Sequence, residues 1–286
     1  MRKFYEGPIN PRTGERIHAG RVRGSETNNG LPAGLASVPG STNTLIYWVF
    51  GNDFDWRTFD FDHDMATVDE ELAASSNANT ADLEEFKSRG GKLILTHGFA
   101  DPLVPTLNTV AYYERLIASQ TRDGRHDERT RKESLRRTQE FARLFLLPGV
   151  GHCGGGAGAD TVEGDLLPRL ALDPLEQWVE HGTAPHQIIA YHVTNGVTDF
   201  SRPICPYPAL PRYSGMGDPT KASSFACLAH SDRDDNQPPA AQQHAPPSDI
   251  IDDATWQTTS QNRRRSNPRC RLRGARRTVR RGRICL

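Results

Sequence analysis

Apolar residues fall into two kinds of run along this chain. KLILTH (92–97) and FARLFLLP (141–148) are continuous apolar stretches of strand length, the pattern of strands covered on both faces. QIIAYHV (187–193) is a third strand candidate. Elsewhere the apolar positions recur at helical spacing. TLNTVAYYERLIASQ places Leu107, Val110, Tyr113 and Ile117 on one side of a helix. NTADLEEFKSRGG carries acids in its first turn, Leu83 and Phe86 three apart, and Gly90 and Gly91 as a stop. DPLEQWVEHG sets Leu175, Trp178 and Val179 on one side, with Gly182 at its end. STNTLIYWVF is too short for periodicity to separate helix from strand, and a Ser or Thr before the apolar run favours helix. The charged stretch 121–138 reads as a solvated loop or helix extension, and residues 1–40 as successive turns. Helices alternating with strands predict an α/β protein with a parallel sheet covered on both faces.

Composition adjusts this picture at the C-terminus. With 286 residues, 36% of them hydrophobic, one sizeable domain is expected. The formal net charge of zero is unevenly spread, because residues 231–286 hold twelve Arg against six Asp. From about Ala229 the chain is polar, Pro-rich and aperiodic, which predicts disorder over 229–286. Its last part carries eleven Arg over 261–286 without interleaved aromatic residues or a nucleic-acid module. Nonspecific attraction to RNA or acidic surfaces is the alternative role for that tail, and a nucleic-acid partner is not expected. The chain shows no apolar run of about 18 residues and no apolar stretch behind Met1, so neither a membrane span nor a signal peptide is expected. Five cysteines leave the redox compartment undecided.

Candidate chemistry sits at strand ends, where ligands collect in open α/β sheets. KLILTHGFADPLVP delivers Asp101 after one strand, and FARLFLLPGVGHCGG delivers His152 after another. An Asp followed later by a His is the second half of the Ser, Asp, His chain order of α/β-hydrolases. Each residue also has an ordinary structural reading, the Asp as a turn former and the His as a surface side chain. His97 ends its strand two residues before Phe99, where it could line the site, and reads as structural beside Gly98 rather than catalytic. His126, His181, His186 and His192 have no evident partner and read as surface residues. DFDHDMATVDEE (60–71) imitates a calcium loop but has Met65 where glycine is needed, so it reads as a solvated acidic loop.

Five motifs in order, GGKLILTHGFADPLVP, TVAYYERL, RLFLLPGVGHCGGGAGAD, LEQWVEHGTAP and SRPICPYPALPRYSG, resemble the tannase and feruloyl esterase family from about Phe4 to about Leu228. The resemblance implies a secreted serine esterase with an α/β-hydrolase fold and a lid domain, cleaving esters of phenolic acids such as gallate or ferulate. It places the triad acid on Asp101 and the triad histidine on His152. It also implies that Cys153 takes the place of a cysteine that bridges to the one before the nucleophilic Ser, and that Cys205 and Cys227 pair. No G-x-S-x-G occurs in the sequence, and Ser25 and Ser41 lie in turns without the elbow that exposes a nucleophile. The expectation is therefore an incomplete α/β-hydrolase fold over 1–228. It would keep the C-terminal half of the sheet, with most of the lid, the nucleophile, the partner of Cys153 and the family's calcium loop all upstream. No cofactor or metal is expected within this chain, and full-length activity is not expected of it alone.

Overall fold

The computed structural model describes residues 2–26, 44–121, 127–162, 165–166 and 168–229. The tail expected from 229 onward lies outside them except for Ala229 itself, as do Ser41 and His126. The elements run α1 (Arg2–Glu6), α2 (Thr44–Phe50), α3 (His63–Ser76), α4 (Glu84–Ser88), β1 (Leu93–Gly98), α5 (Thr106–Ser119), α6 (Glu128–Gln139) and β2 (Ala142–Leu147). They continue through β3 (Thr161–Val162), β4 (Asp165–Leu166), α7 (Pro168–His181), β5 (Ile188–Thr194), β6 (Val197–Ile204), β7 (Leu210–Tyr213) and β8 (Phe225–Leu228).

β1 and β2 pair in parallel, from Leu93 opposite Ala142 to Gly98 opposite Leu147, so the two strands end side by side. On its other side β2 meets the 206–207 segment, where the Tyr207 N–H donates to the Leu144 carbonyl at 2.7 Å. The period-2 alternation of β2 then divides the core. Ala142 and Leu144 join Val110, Tyr113, Leu116 and Ile117 of α5 on one face. Phe145 and Leu147 join Ile188, Ala190 and Ile204 on the other. Each fully buried Leu or Phe contributes about 1.5–3 kcal/mol on transfer from water, so these two clusters hold β2 where its C-terminal loop must start.

The expected parallel sheet is confined to β1 and β2. β5 belongs to a separate antiparallel sheet in the order β4, β3, β5, β6. The reason is local: Asn195 and Gly196 both have positive φ, 51° and 79°, and turn β5 directly back into β6. A further antiparallel pair, β7 and β8, is tied to the end of β6 by the Cys205–Cys227 disulfide, with Cα atoms 5.6 Å apart.

Three other expectations change. The charged stretch 121–138 contains a separate helix, α6, capped by the Asp127 carboxylate and burying Ser134 and Thr138. The acidic stretch 60–71 is mostly helix, because α3 begins at His63. In α7, Trp178 is buried but Val179 is 60% exposed. Trp178 sets that rotation by packing against Lys92 and Arg143, whose cations lie 5.3 and 5.2 Å from its indole ring centroid.

Candidate active site

The ends of β1 and β2 are stitched together beyond the last strand residues. The Phe99 N–H donates to the Leu147 carbonyl at 2.8 Å, and the Ala100 N–H to the Val150 carbonyl at 2.9 Å. The chain then turns at Asp101. One carboxylate oxygen, Oδ1, accepts the Leu103 and Val104 N–H groups at 2.7 and 2.9 Å. Side-chain bonding to the backbone two and three residues ahead is what makes an Asp a turn former. Here the same bonds aim the second oxygen, Oδ2, across to the loop after β2, where His152 Nδ1 meets it at 2.9 Å.

The pair is asymmetric in its surroundings. The Asp101 side chain is 4% exposed and that of His152 37% exposed. Burial pushes the Asp101 carboxyl up, but the Val104 N–H, His152 and the Leu103 N–H outweigh it and hold the group below the usual carboxylate range. An ionised carboxylate is acceptor-only, so it fixes the proton of a neutral His152 on Nδ1 and directs Nε2 away from itself. That is the geometry in which an imidazole accepts a proton at Nε2 while its new charge is stabilised at Nδ1.

Glycine supplies the loop of His152. The Gly158 N–H donates to Gly149 and the Gly151 N–H to Gly155, folding residues 149–158 back on themselves. Asp160 Oδ2 accepts the Gly155 N–H at 2.6 Å and anchors that hairpin from inside the fold. Cys153 follows His152 in the left-handed region, at φ 58°, and its thiol is exposed.

Some positioning residues were not evident in the sequence. Arg21 donates Nε to the Pro102 carbonyl at 2.8 Å and a terminal nitrogen to the Leu103 carbonyl at 2.9 Å, clamping the Asp101 turn from a segment eighty-one residues upstream of the first acceptor. Burial lowers the Arg21 pKa, opposed by attraction to Asp101. No local pattern signals a contact of that separation. Asp160 closes the GGGAGAD stretch, where its capacity to bond the preceding glycine amides was the available signal.

The remaining candidates do not converge on this site. Ser25 is fully buried and its hydroxyl donates to the Val22 carbonyl at 2.7 Å, a turn role. His192 is not a bare surface residue: its Nδ1 lies 2.7 Å from Asp199 Oδ2, and its ring stacks on Phe200 with centroids 4.9 Å apart. The register that pairs His192 with Phe200 across the β5–β6 hairpin produces that contact. His181 and His186 are exposed. The carboxylates of the acidic stretch are engaged locally, Asp62 with Asn10 and Arg12, and Asp60 with the N–H groups of Asp62 and His63. Among the described residues no group of three or more His, Cys, Asp or Glu side chains is placed to hold a metal.

Known proteins share this arrangement of sequence and fold. The family model described as tannase and feruloyl esterase matches residues 1–228. An uncharacterised esterase of Xanthomonas campestris is 36% identical over 255 residues, covering 78% of this chain and 44% of that protein. A mono(2-hydroxyethyl) terephthalate hydrolase of Piscinibacter sakaiensis is 40% identical over 181 residues, covering 60% of this chain and 26% of that protein. Among solved structures, an esterase from Aspergillus oryzae superposes with a TM-score of 0.62 at 24% identity, over 79% of this chain and 45% of that one. Feruloyl esterase B from the same organism gives 0.61 at 22% identity, over 79% and 44%. The chain thus spans less than half the length of these relatives.

Proposed function

The chain belongs to the tannase and feruloyl esterase family, and on that premise we propose that it carries the acid and base of a carboxylic ester hydrolase acting on phenolic-acid esters. The observation that carries this reading is the 2.9 Å contact between His152 Nδ1 and Asp101 Oδ2 at the ends of two adjacent parallel strands. In the proposed reaction His152 takes the proton of an attacking serine hydroxyl at Nε2, and Asp101 stabilises the imidazolium. His152 then gives the proton to the leaving alcohol, and a water repeats the sequence to release the acid. The serine is assigned to a part of the family architecture outside these 286 residues, since no G-x-S-x-G occurs among them.

The lining that would select the acyl group is assigned to the same part of the family architecture outside these residues, so the substrate class is taken from the family. The Cys205–Cys227 bridge supports a secreted or otherwise oxidising setting. Among the described residues no helix is long and apolar enough to cross a membrane. The test is hydrolysis of methyl ferulate and propyl gallate by the purified chain. The account expects no turnover above the uncatalysed rate. Turnover by the chain alone would overturn the placement of the serine outside it, and turnover that also survives in His152→Ala would remove the assignment of His152.

A further inference from the structure

Arg21 and Asp101 are joined through two peptide groups. The Pro102 carbonyl accepts from Arg21 Nε at 2.8 Å, and the Leu103 N–H of the same peptide donates to Asp101 Oδ1 at 2.7 Å. The next peptide repeats the pattern. The Leu103 carbonyl accepts from a terminal nitrogen of Arg21 at 2.9 Å, and the Val104 N–H donates to the same Oδ1 at 2.9 Å. Both peptides are trans, so each directs its carbonyl and its N–H to opposite sides. The cation therefore faces the oxygen end of two peptide dipoles, and the anion faces their N–H end. Arg21 is itself held in place. Its backbone N–H donates to the Phe4 carbonyl at 3.1 Å, its guanidinium lies 5.5 Å from the Phe4 ring centroid, and the Ala19 N–H donates to Asn108 Oδ1 on α5 at 3.0 Å. Asp101 attracts the Arg21 charge against the effect of burial.

We propose that Arg21 is a positioning residue that stabilises the Asp101 carboxylate by relay, polarising the two peptide groups whose N–H donors hold Oδ1 and leaving Oδ2 to His152. The proposal rests on the reading of Asp101 and His152 as the acid and base, and adds to it a cation that works without touching either side chain. Hydrogen bonds in series strengthen one another in a medium of low dielectric, and the Asp101 side chain is 4% exposed. A direct ion pair would act differently. Arginine commonly grips both oxygens of a carboxylate, and the oxygen that orients His152 would then be engaged. Relay through the backbone gives a buried acid its countercharge and keeps the second oxygen for the imidazole. The other titratable groups facing Asp101 are His152, 2.9 Å from Oδ2, and His97 at the end of β1, whose Nε2 lies 3.4 Å from the same oxygen.

The experiment is NMR of the whole chain, reading the amide protons of Leu103 and Val104, the Arg21 Nε proton and the acid titration of the Asp101 carboxyl carbon. Asp101→Asn at neutral pH keeps the acceptor and removes its charge. The Arg21 Nε proton is expected to move upfield in this variant, although its own acceptor is Pro102. A clamp that only shapes the turn leaves that proton where it was. In Arg21→Met both amide protons move upfield, and the acid dissociation constant of Asp101 falls about two- to twentyfold, the range for a polarisation of about 10–30% in each of two bonds to a charged group. Arg21→Lys keeps a cation at the carbonyls and returns part of that fall. Asp101→Asn decides the matter if Arg21→Met fails to fold. An Arg21 Nε proton indifferent to Asp101→Asn, or an Asp101 titration unchanged in Arg21→Met, overturns the proposal. The low-field proton that His152 Nδ1 shares with Asp101 is expected to disappear in Asp101→Asn. Its survival there removes the acid–base reading itself, whereas its loss beside an unmoved Arg21 Nε proton removes the relay alone.

Discussion

Gly98 ends β1 so close to Gly151 that a Cβ atom at position 98 would stand 2.3 Å from the Gly151 carbonyl oxygen. The two loops that bear Asp101 and His152 can meet because the last residue of β1 has no side chain. Gly98→Ala is therefore expected to destabilise the fold by about 1–3 kcal/mol, as overpacking of a closed contact does. The same change pushes the His152 loop away from the Asp101 turn. Urea denaturation checks the first effect, and loss of the low-field NMR signal of the proton that His152 Nδ1 shares with Asp101 checks the second.

Asp101→Asn keeps the shape of the side chain but removes its charge. The buried turn retains an acceptor for the Leu103 and Val104 N–H groups, while the charge-assisted contact to His152 is lost. Hydrogen bonds to charged groups are worth about 1.5–3 kcal/mol, and a loss in that range is expected in chemical denaturation at neutral pH.

The acid dependence of stability follows from the direction of the Asp101 shift. Its folded-state pKa is lowered, so its contribution to stability is fully present above the unfolded-state value of about 3.9. That contribution is lost as pH falls through the folded-state value, which lies lower. Stability curves of the wild type and Asp101→Asn should accordingly stay separated above about pH 4 and converge below it. Curves that keep a constant separation down to strong acid would show that Asp101 gains nothing from its surroundings.

The Cys205–Cys227 bridge closes a separation of 22 residues between the end of β6 and β8. Chain-entropy estimates give about 3 kcal/mol for a loop of this order. Replacing both cysteines by Ser should lower the unfolding midpoint to match, and a reducing agent should lower the wild type toward the double variant without affecting the variant. Equal midpoints for all three would contradict the bridge.

Much of this architecture was legible in the sequence where the signal is local. KLILTH and FARLFLLP became the parallel pair because continuous apolar runs of that length have few other solutions, and α5 follows its Val110, Tyr113 and Ile117 spacing. The Asn195–Gly196 turn was equally local, and it accounts for the strand missed after β5, with the antiparallel sheet that goes with it. What could not be read depends on contacts distant in sequence. The rotation of α7 is set by Lys92 and Arg143 holding Trp178, which outweighs the helical spacing that paired Val179 with the core. For the site, strand ends and chain order drew attention to Asp101 and His152, but nothing near them announces the clamp of Arg21.

Asp101 and His152 are proposed to perform the acid–base work of ester hydrolysis for a serine supplied from outside these residues. The most direct measurement joins this chain to the part of its 36% identical Xanthomonas campestris relative that it does not match and follows methyl ferulate hydrolysis. Turnover is expected in the joined protein and should fall by about 10⁴ or more in Asp101→Asn and in His152→Ala, the loss that follows when a triad loses its orienting acid or its base. Turnover that persists undiminished in both variants would contradict it.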